Sequence, residues 1–95
     1  MFDIKILKPG EVVMSGRFDA SQVEKARTVL EQLTATAVVD MKNLQYVSSA
    51  GLGILLAAQK KLGEKGHKLR LANMSQHVRD IFQMTRLDTI FEIVD

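Results

Sequence analysis

Ala37-Val38-Val39-Asp40-Met41-Lys42-Asn43-Leu44-Gln45-Tyr46-Val47-Ser48-Ser49-Ala50-Gly51-Leu52-Gly53-Ile54-Leu55-Leu56 passes from strand chemistry to helix chemistry in one run. Its first part, Ala37 to Met41, is short, β-branched and apolar, which predicts a buried central strand. Helical patterns flank it in sequence, so it should lie parallel to a neighbour. Lys42 to Ser49 then leads into a helix from Ala50 to about Lys65. Gly66 is well placed to end that helix in the left-handed conformation.

Upstream, Lys8-Pro9-Gly10-Glu11 separates two short runs, Phe2–Leu7 and Val12–Ser15. Proline presets one turn dihedral and glycine accepts the left-handed one, so the runs should pair as a hairpin. Gly16 and Asp19 break the pattern. Ser21 and Glu24 have capping-box spacing, and Val23, Ala26, Leu30 and Leu33 recur at helical spacing. A first helix from Ser21 to about Leu33 follows. Downstream, His67–Ala72 reads as a strand, and Ser75 caps a helix with Val78, Ile81 and Phe82 on one face. Ile90–Val94 is a last short strand. The order β-β-α-β-α-β-α-(β) predicts an α/β domain across residues 1–95, a mixed central sheet with helices packed on it.

Composition narrows the function classes. The chain has 95 residues, enough for one core and little more for a deep substrate cavity. A net charge of +2 with scattered basic residues, only 5% aromatics and no tryptophan is a poor match to a nucleic-acid surface. Cysteine is absent, which excludes disulfides and thiolate metal sites. The first residues do not read as a signal peptide. The longest strongly apolar stretch, Ile54 to Ala58, is too short to span a bilayer. The expectation is a cytoplasmic protein with no cofactor, no metal, no nucleic-acid partner and no membrane insertion.

The chemistry concentrates at Val47-Ser48-Ser49-Ala50-Gly51-Leu52-Gly53, two serines at the mouth of a helix that begins with glycines. The plain reading is an N-cap, because a serine oxygen there accepts from a free first-turn N–H. The glycines add to it. Each costs about 1 kcal/mol in a helix, so Gly51 and Gly53 predict close approach of a partner surface or a phosphate. Leu52, Leu55, Leu56 and Leu62 should face the sheet. Gly53, Ile54, Ala57, Lys60 and Lys61 then form an exposed, basic-edged strip suited to docking a protein. Asp19 and Asp40 fall at loop and strand ends that can converge on Ser49, though a cap and a strand-end turn explain them equally well.

Catalytic patterns are missing. Ser49 lacks the Gly-x-Ser-x-Gly elbow, since Val47 stands two residues before it. His67 and His77 show no metal-ligand spacing, and no Gly-Lys-Ser/Thr phosphate loop is present. These residues predict no enzyme.

Gly16-Arg17-Phe18-Asp19, Val38-Val39-Asp40 and Val47-Ser48-Ser49-Ala50-Gly51-Leu52-Gly53 together resemble the STAS family, best known for bacterial anti-sigma factor antagonists. Val78, Ile81, Phe82, Met84 and Leu87 resemble its third helix and the turn after it. The resemblance implies that Ser49 is a phosphoacceptor, with Ser48 the alternative. Together with the exposed helix strip, this gives an expected partner surface of Asp19, Ser48, Ser49, Gly51, Gly53, Ile54 and Ala57. Unmodified, the chain would bind an anti-sigma factor that is also a serine kinase. Phosphorylated, it would be released until a metal-dependent serine phosphatase restores it. Ser48 stands where the family commonly has aspartate, which favours a second reading as a constitutive STAS subunit of a transporter or stress-signalling complex. A third reading is a weak nucleotide-binding protein using Asp19, Asp40 and the helix mouth.

Overall fold

Strand β1 (Asp3–Lys8) and strand β2 (Glu11–Phe18) form the expected hairpin, paired antiparallel around a turn in which Gly10 has φ +84°. In the computed structural model, which describes residues 1–94, β2 does not stop at Ser15. It continues through Gly16 because that residue takes φ +82° and lets the pairing shift register there. Val12, Met14 and Phe18 stay buried on one face across the irregularity.

The same effect lengthens the central strand. Strand β3 runs Ala37–Val47, well past the expected end at Met41. Ala37, Val39 and Met41 are buried with period two, and after exposed Lys42 and Asn43 the buried positions resume at Leu44 and Val47. The lapse falls where β3 shifts register against β2 opposite Ser15. A strand with such a lapse looks like a loop in sequence, because the alternation changes phase.

Strand β3 is parallel to β2 on one side and to β4 (Leu69–Ala72) on the other, and β4 is parallel to β5 (Glu92–Val94). The sheet order is β1-β2-β3-β4-β5. This mixed sheet, with one antiparallel edge, confirms the α/β architecture. Helix α1 (Val23–Leu30), helix α2 (Ser49–Gly63) and helix α3 (Gln76–Met84) bury Ala26, Leu30, Leu52, Leu55, Leu62, Val78 and Phe82 in one core with the inward strand residues. Val13, Val38, Asp40 and Arg70, on alternate strand positions, are only half-buried. At the β4–β5 edge Glu92 is paired with both Lys68 and Arg70, and its hydrogen bond from Lys68 lowers its carboxyl pKa.

The start of the first helix differs from expectation. Asp19, not Ser21, is the cap. Its carboxylate accepts from the Ser21 N–H at 3.0 Å and from the Ser21 hydroxyl at 2.5 Å, opening a 3₁₀ turn at Ala20–Gln22. The Ser21 hydroxyl is therefore a donor, and Glu24 pairs with Arg27 rather than reaching back. Helix α1 starts later and ends earlier than the apolar spacing implied, and Leu33 is buried beyond its end.

Gly16 also sets a limit on the N-terminal segment. A Cβ there would lie 1.7 Å from the Met1 carbonyl oxygen. Next to Met1, Phe2 is buried and stacks on Phe18 with ring centroids 4.7 Å apart. Gly16→Ala should therefore combine about 1–3 kcal/mol of left-handed backbone strain with displacement of Phe2. Urea unfolding should show a lowered midpoint with an unchanged slope.

Candidate functional site

Two backbone contacts place the mouth of α2. Phe18 and Val47 are partners at the ends of β2 and β3, and the Ser48 N–H donates to the Phe18 carbonyl at 2.8 Å. Ser48 then takes an extended conformation, and its carbonyl accepts the first helical bond from the Leu52 N–H at 2.9 Å. Its side-chain oxygen accepts from the Gly51 N–H at 3.1 Å. Ser48 is thus the N-cap, and the helix begins one residue earlier than expected, at Ser49.

This arrangement separates the two candidate serines. The Ser48 hydroxyl is half-buried and occupied by the cap. The Ser49 hydroxyl is exposed on the first helical residue and makes no hydrogen bond among the described residues. Aspartate and serine cap helices about equally well, so Ser48 fills a structural role that an aspartate would also fill. Ser48→Ala should cost about 1 kcal/mol of stability while Ser48→Asp stays near neutral. Thermal unfolding of the two variants side by side checks this.

The two glycines have different reasons. Gly51 is buried, and a Cβ on it would lie 2.9 Å from Val47 Cγ2 and 3.1 Å from the Phe18 ring. Close approach is needed there, as expected, but by the chain's own core rather than by a partner or a phosphate. Around Gly53 nothing lies within 4 Å of the Cβ position, and the residue is exposed. Ala57 continues this open strip, and Lys60 and Lys61 edge it. Ile54 is half-buried rather than an isolated surface residue. It lines a shallow groove between α1 and α2 with Leu30, Ala57 and Ala58, rimmed by Arg27 and Lys61. Leu56, expected on the sheet face, is half-buried as well.

Asp19 is close to this site. It follows Phe18 directly, and the 3₁₀ turn it caps packs against α2. Asp40 is not. It lies inside β3, level with Val13 and Ala72, seven residues before the strand's end at Val47. Its carboxylate accepts from the Lys42 N–H at 2.9 Å and from the Asn73 side-chain amide at 3.1 Å. The convergence of Asp19, Asp40 and Ser49 needed for a nucleotide site is therefore absent. Among the described residues, no cluster of three or more His, Asp or Glu side chains is placed to hold a metal, and no helix is long and apolar enough to cross a membrane.

Sequence reasoning missed the role of Phe18 as the surface under Gly51. A glycine in the first turn of a helix, Gly51, was the available signal of a close approach. It also missed Arg17 and Tyr46, which are brought face to face only by the β2–β3 register.

A small mixed-sheet module with a free serine on the first turn of a central helix is the class that this fold and site define. A family model described as "Mlab, STAS domain" matches residues 7–95, and the chain belongs to the STAS domain family. It is 32% identical over 85 residues to a "STAS-domain containing protein" of Pseudomonas aeruginosa, covering 86% of this chain and 84% of that one. It is 30% identical over 87 residues to the anti-sigma-B factor antagonist of Listeria monocytogenes, covering 87% and 76%. The fold is also that of the anti-sigma factor antagonist SpoIIAA in its unphosphorylated form. That match has a TM-score of 0.72 at 22% identity and covers 100% of this chain and 88% of that one.

Proposed function

We propose that this chain is a cytoplasmic, non-enzymatic anti-sigma factor antagonist that works by partner switching at Ser49. Unmodified, it binds an anti-sigma factor that doubles as a serine kinase. Phosphorylation of Ser49 releases it, and a metal-dependent serine phosphatase resets it. The observation that carries this reading is the free, exposed Ser49 hydroxyl beside a Ser48 hydroxyl already used as a cap. Asp19, Ser48, Gly53, Ile54 and Ala57 make up the docking surface with the acceptor, and Gly51 contributes by letting the helix sit close.

The physics of the switch favours binding over folding as the thing changed. A phosphate adds about −1.5 to −2 charges. A helix N-terminus accepts an anion, with a dipole contribution of only about 0.3–1 kcal/mol. Burying the dianion unpaired in a docked interface would cost several kcal/mol or more.

The relatives support the reading by their own roles, since the Listeria monocytogenes protein and one of Bacillus subtilis are anti-sigma-B factor antagonists. A second reading, a constitutive STAS subunit of a transporter or stress-signalling complex, is favoured by Ser48 in place of the aspartate common in the family. Affinity capture from native lysate separates them. Wild type and Ser49→Ala should retain a kinase that Ser49→Asp loses. Equal recovery by all three would replace the switch with the constitutive subunit.

A further inference from the structure

We propose that Met1–Asp3 form a strap that positions the mouth of α2 from the edge of the sheet. Phe2 is its positioning residue, and through it the strap sets the affinity of the protein that docks at Ser49. The part that concerns affinity rests on the reading of Ser49 as the docking centre.

The path of the strap is fixed from two sides. Met1 and Phe2 cross β2 at Gly16, so closely that a Cβ on that glycine would lie 3.0 Å from the Phe2 Cα. From α1, the Lys25 ammonium donates to the Phe2 carbonyl at 3.4 Å and pairs with the Asp3 carboxylate at 3.3 Å. The Phe2 side chain is buried, and its ring stacks on Phe18 with 22° between the planes. Phe18 then meets the helix mouth twice. Its ring lies 3.1 Å from the Cβ position of Gly51, and its carbonyl accepts from the Ser48 N–H at 2.8 Å. Phe2 thus reaches both the cap and the first turn of α2 through one intermediate residue. Being buried, it offers a partner nothing to touch, so its effect on docking passes through Phe18.

Close-packed interiors transmit displacements, because no void is present to absorb them. Without Phe2, the Phe18 ring loses the neighbour stacked on one of its faces, and the surface under Gly51 gains freedom. The first turn of α2 would then have to be ordered whenever a partner docks, which weakens binding. Lys25 and Asp3 are about half-exposed, and such pairs contribute little energy. They guide the strap, and the ring carries the effect. Lifting the strap therefore loosens the site without altering any residue of the docking surface.

Amide hydrogen exchange tests the strap without a partner. The readouts are Gly51 and Leu52, whose N–H groups donate to the Ser48 side-chain oxygen and carbonyl. Phe2→Ala should speed exchange at both by about three- to tenfold, the change that losing one aromatic pair corresponds to. Phe2→Leu should fall in between, and it decides by the same comparison if the alanine variant does not fold. Phe91→Ala is the control, since it removes another buried ring, one that packs on Phe82 of α3. It should lower the melting temperature too, yet leave the two mouth amides within about twofold of wild type. Unchanged exchange in the Phe2 variants, or equal acceleration by Phe91→Ala, overturns the strap. With the kinase recovered by the wild-type chain as probe, calorimetry should show weaker binding by Phe2→Ala than by Phe91→Ala. Equal affinities overturn the effect on docking and leave the Ser49 switch standing. If wild type and Ser49→Asp recover the same proteins, or none, the Ser49 reading and the affinity effect fail together. Exchange then still decides whether the strap positions the mouth.

Discussion

Ser49→Asp should abolish partner capture while leaving the unfolding midpoint within a degree or two of wild type. Residue 49 is exposed on the first turn of α2, where the free N–H groups of the helix mouth favour negative charge. The fold therefore has no reason to resist the substitution. Docking does, because a carboxylate confined beneath a partner loses its water without gaining a cation. A penalty of about 3 kcal/mol or more corresponds to a hundredfold or greater loss of affinity. Ser49→Ala removes only an unbonded hydroxyl and should bind like wild type. Phosphate, with roughly twice the charge, should act more strongly than aspartate. Calorimetric titration of the purified partner, with circular dichroism on the same samples, checks both halves. A variant that lost binding and structure together would show that the serine serves the fold.

Phe18→Ala should have the largest effect on stability. The side chain is fully buried, stacks on Phe2 and forms the surface against which Gly51 rests. Large-to-small changes of this kind cost about 3–5 kcal/mol. A domain of this size has total stability of only about 5–14 kcal/mol. Each kilocalorie lowers the melting temperature by about 4–8 °C, so a fall of roughly 12–40 °C is expected in a thermal scan. Partner affinity should fall as well, since the ring holds the helix mouth at its height above the sheet. Phe18→Leu, which keeps most of the volume, should lose far less of both. If it loses as much as the alanine variant, the aromatic stack with Phe2 matters more than the filling of space.

Much of this molecule was legible in its residues, for reasons specific to each element. The Pro9-Gly10 turn, the Ser75 cap and the Gly66 terminus are local chemistry, and each reads directly. At Gly66, φ is +79° and the His67 N–H donates back to the Leu62 carbonyl at 2.9 Å, closing the helix as expected. The lengths of β2 and β3 were hidden because both strands change phase at irregular pairings, near Gly16 and at Lys42–Asn43. Asp19 and Ser21 were exchanged as caps because both residue types cap helices and only the path of the chain decides between them. Asp40 was misplaced for the same reason that β3 was cut short. That the motif around Ser49 opens a helix was legible, because serine capping is local chemistry. Which serine is occupied depends on the conformation of Ser48, and that is set by its backbone bond to Phe18 in another strand.

The close seat of Gly51 has one more consequence. With no side chain between the helix and the ring beneath it, the first turn of α2 has little room to slide or tilt. An incoming protein meets a surface already in its final shape, so little ordering cost accompanies recognition. On the switch proposed at Ser49, such a platform would be turned on and off as fast as that residue's covalent state is changed, with no rearrangement of the scaffold to wait for.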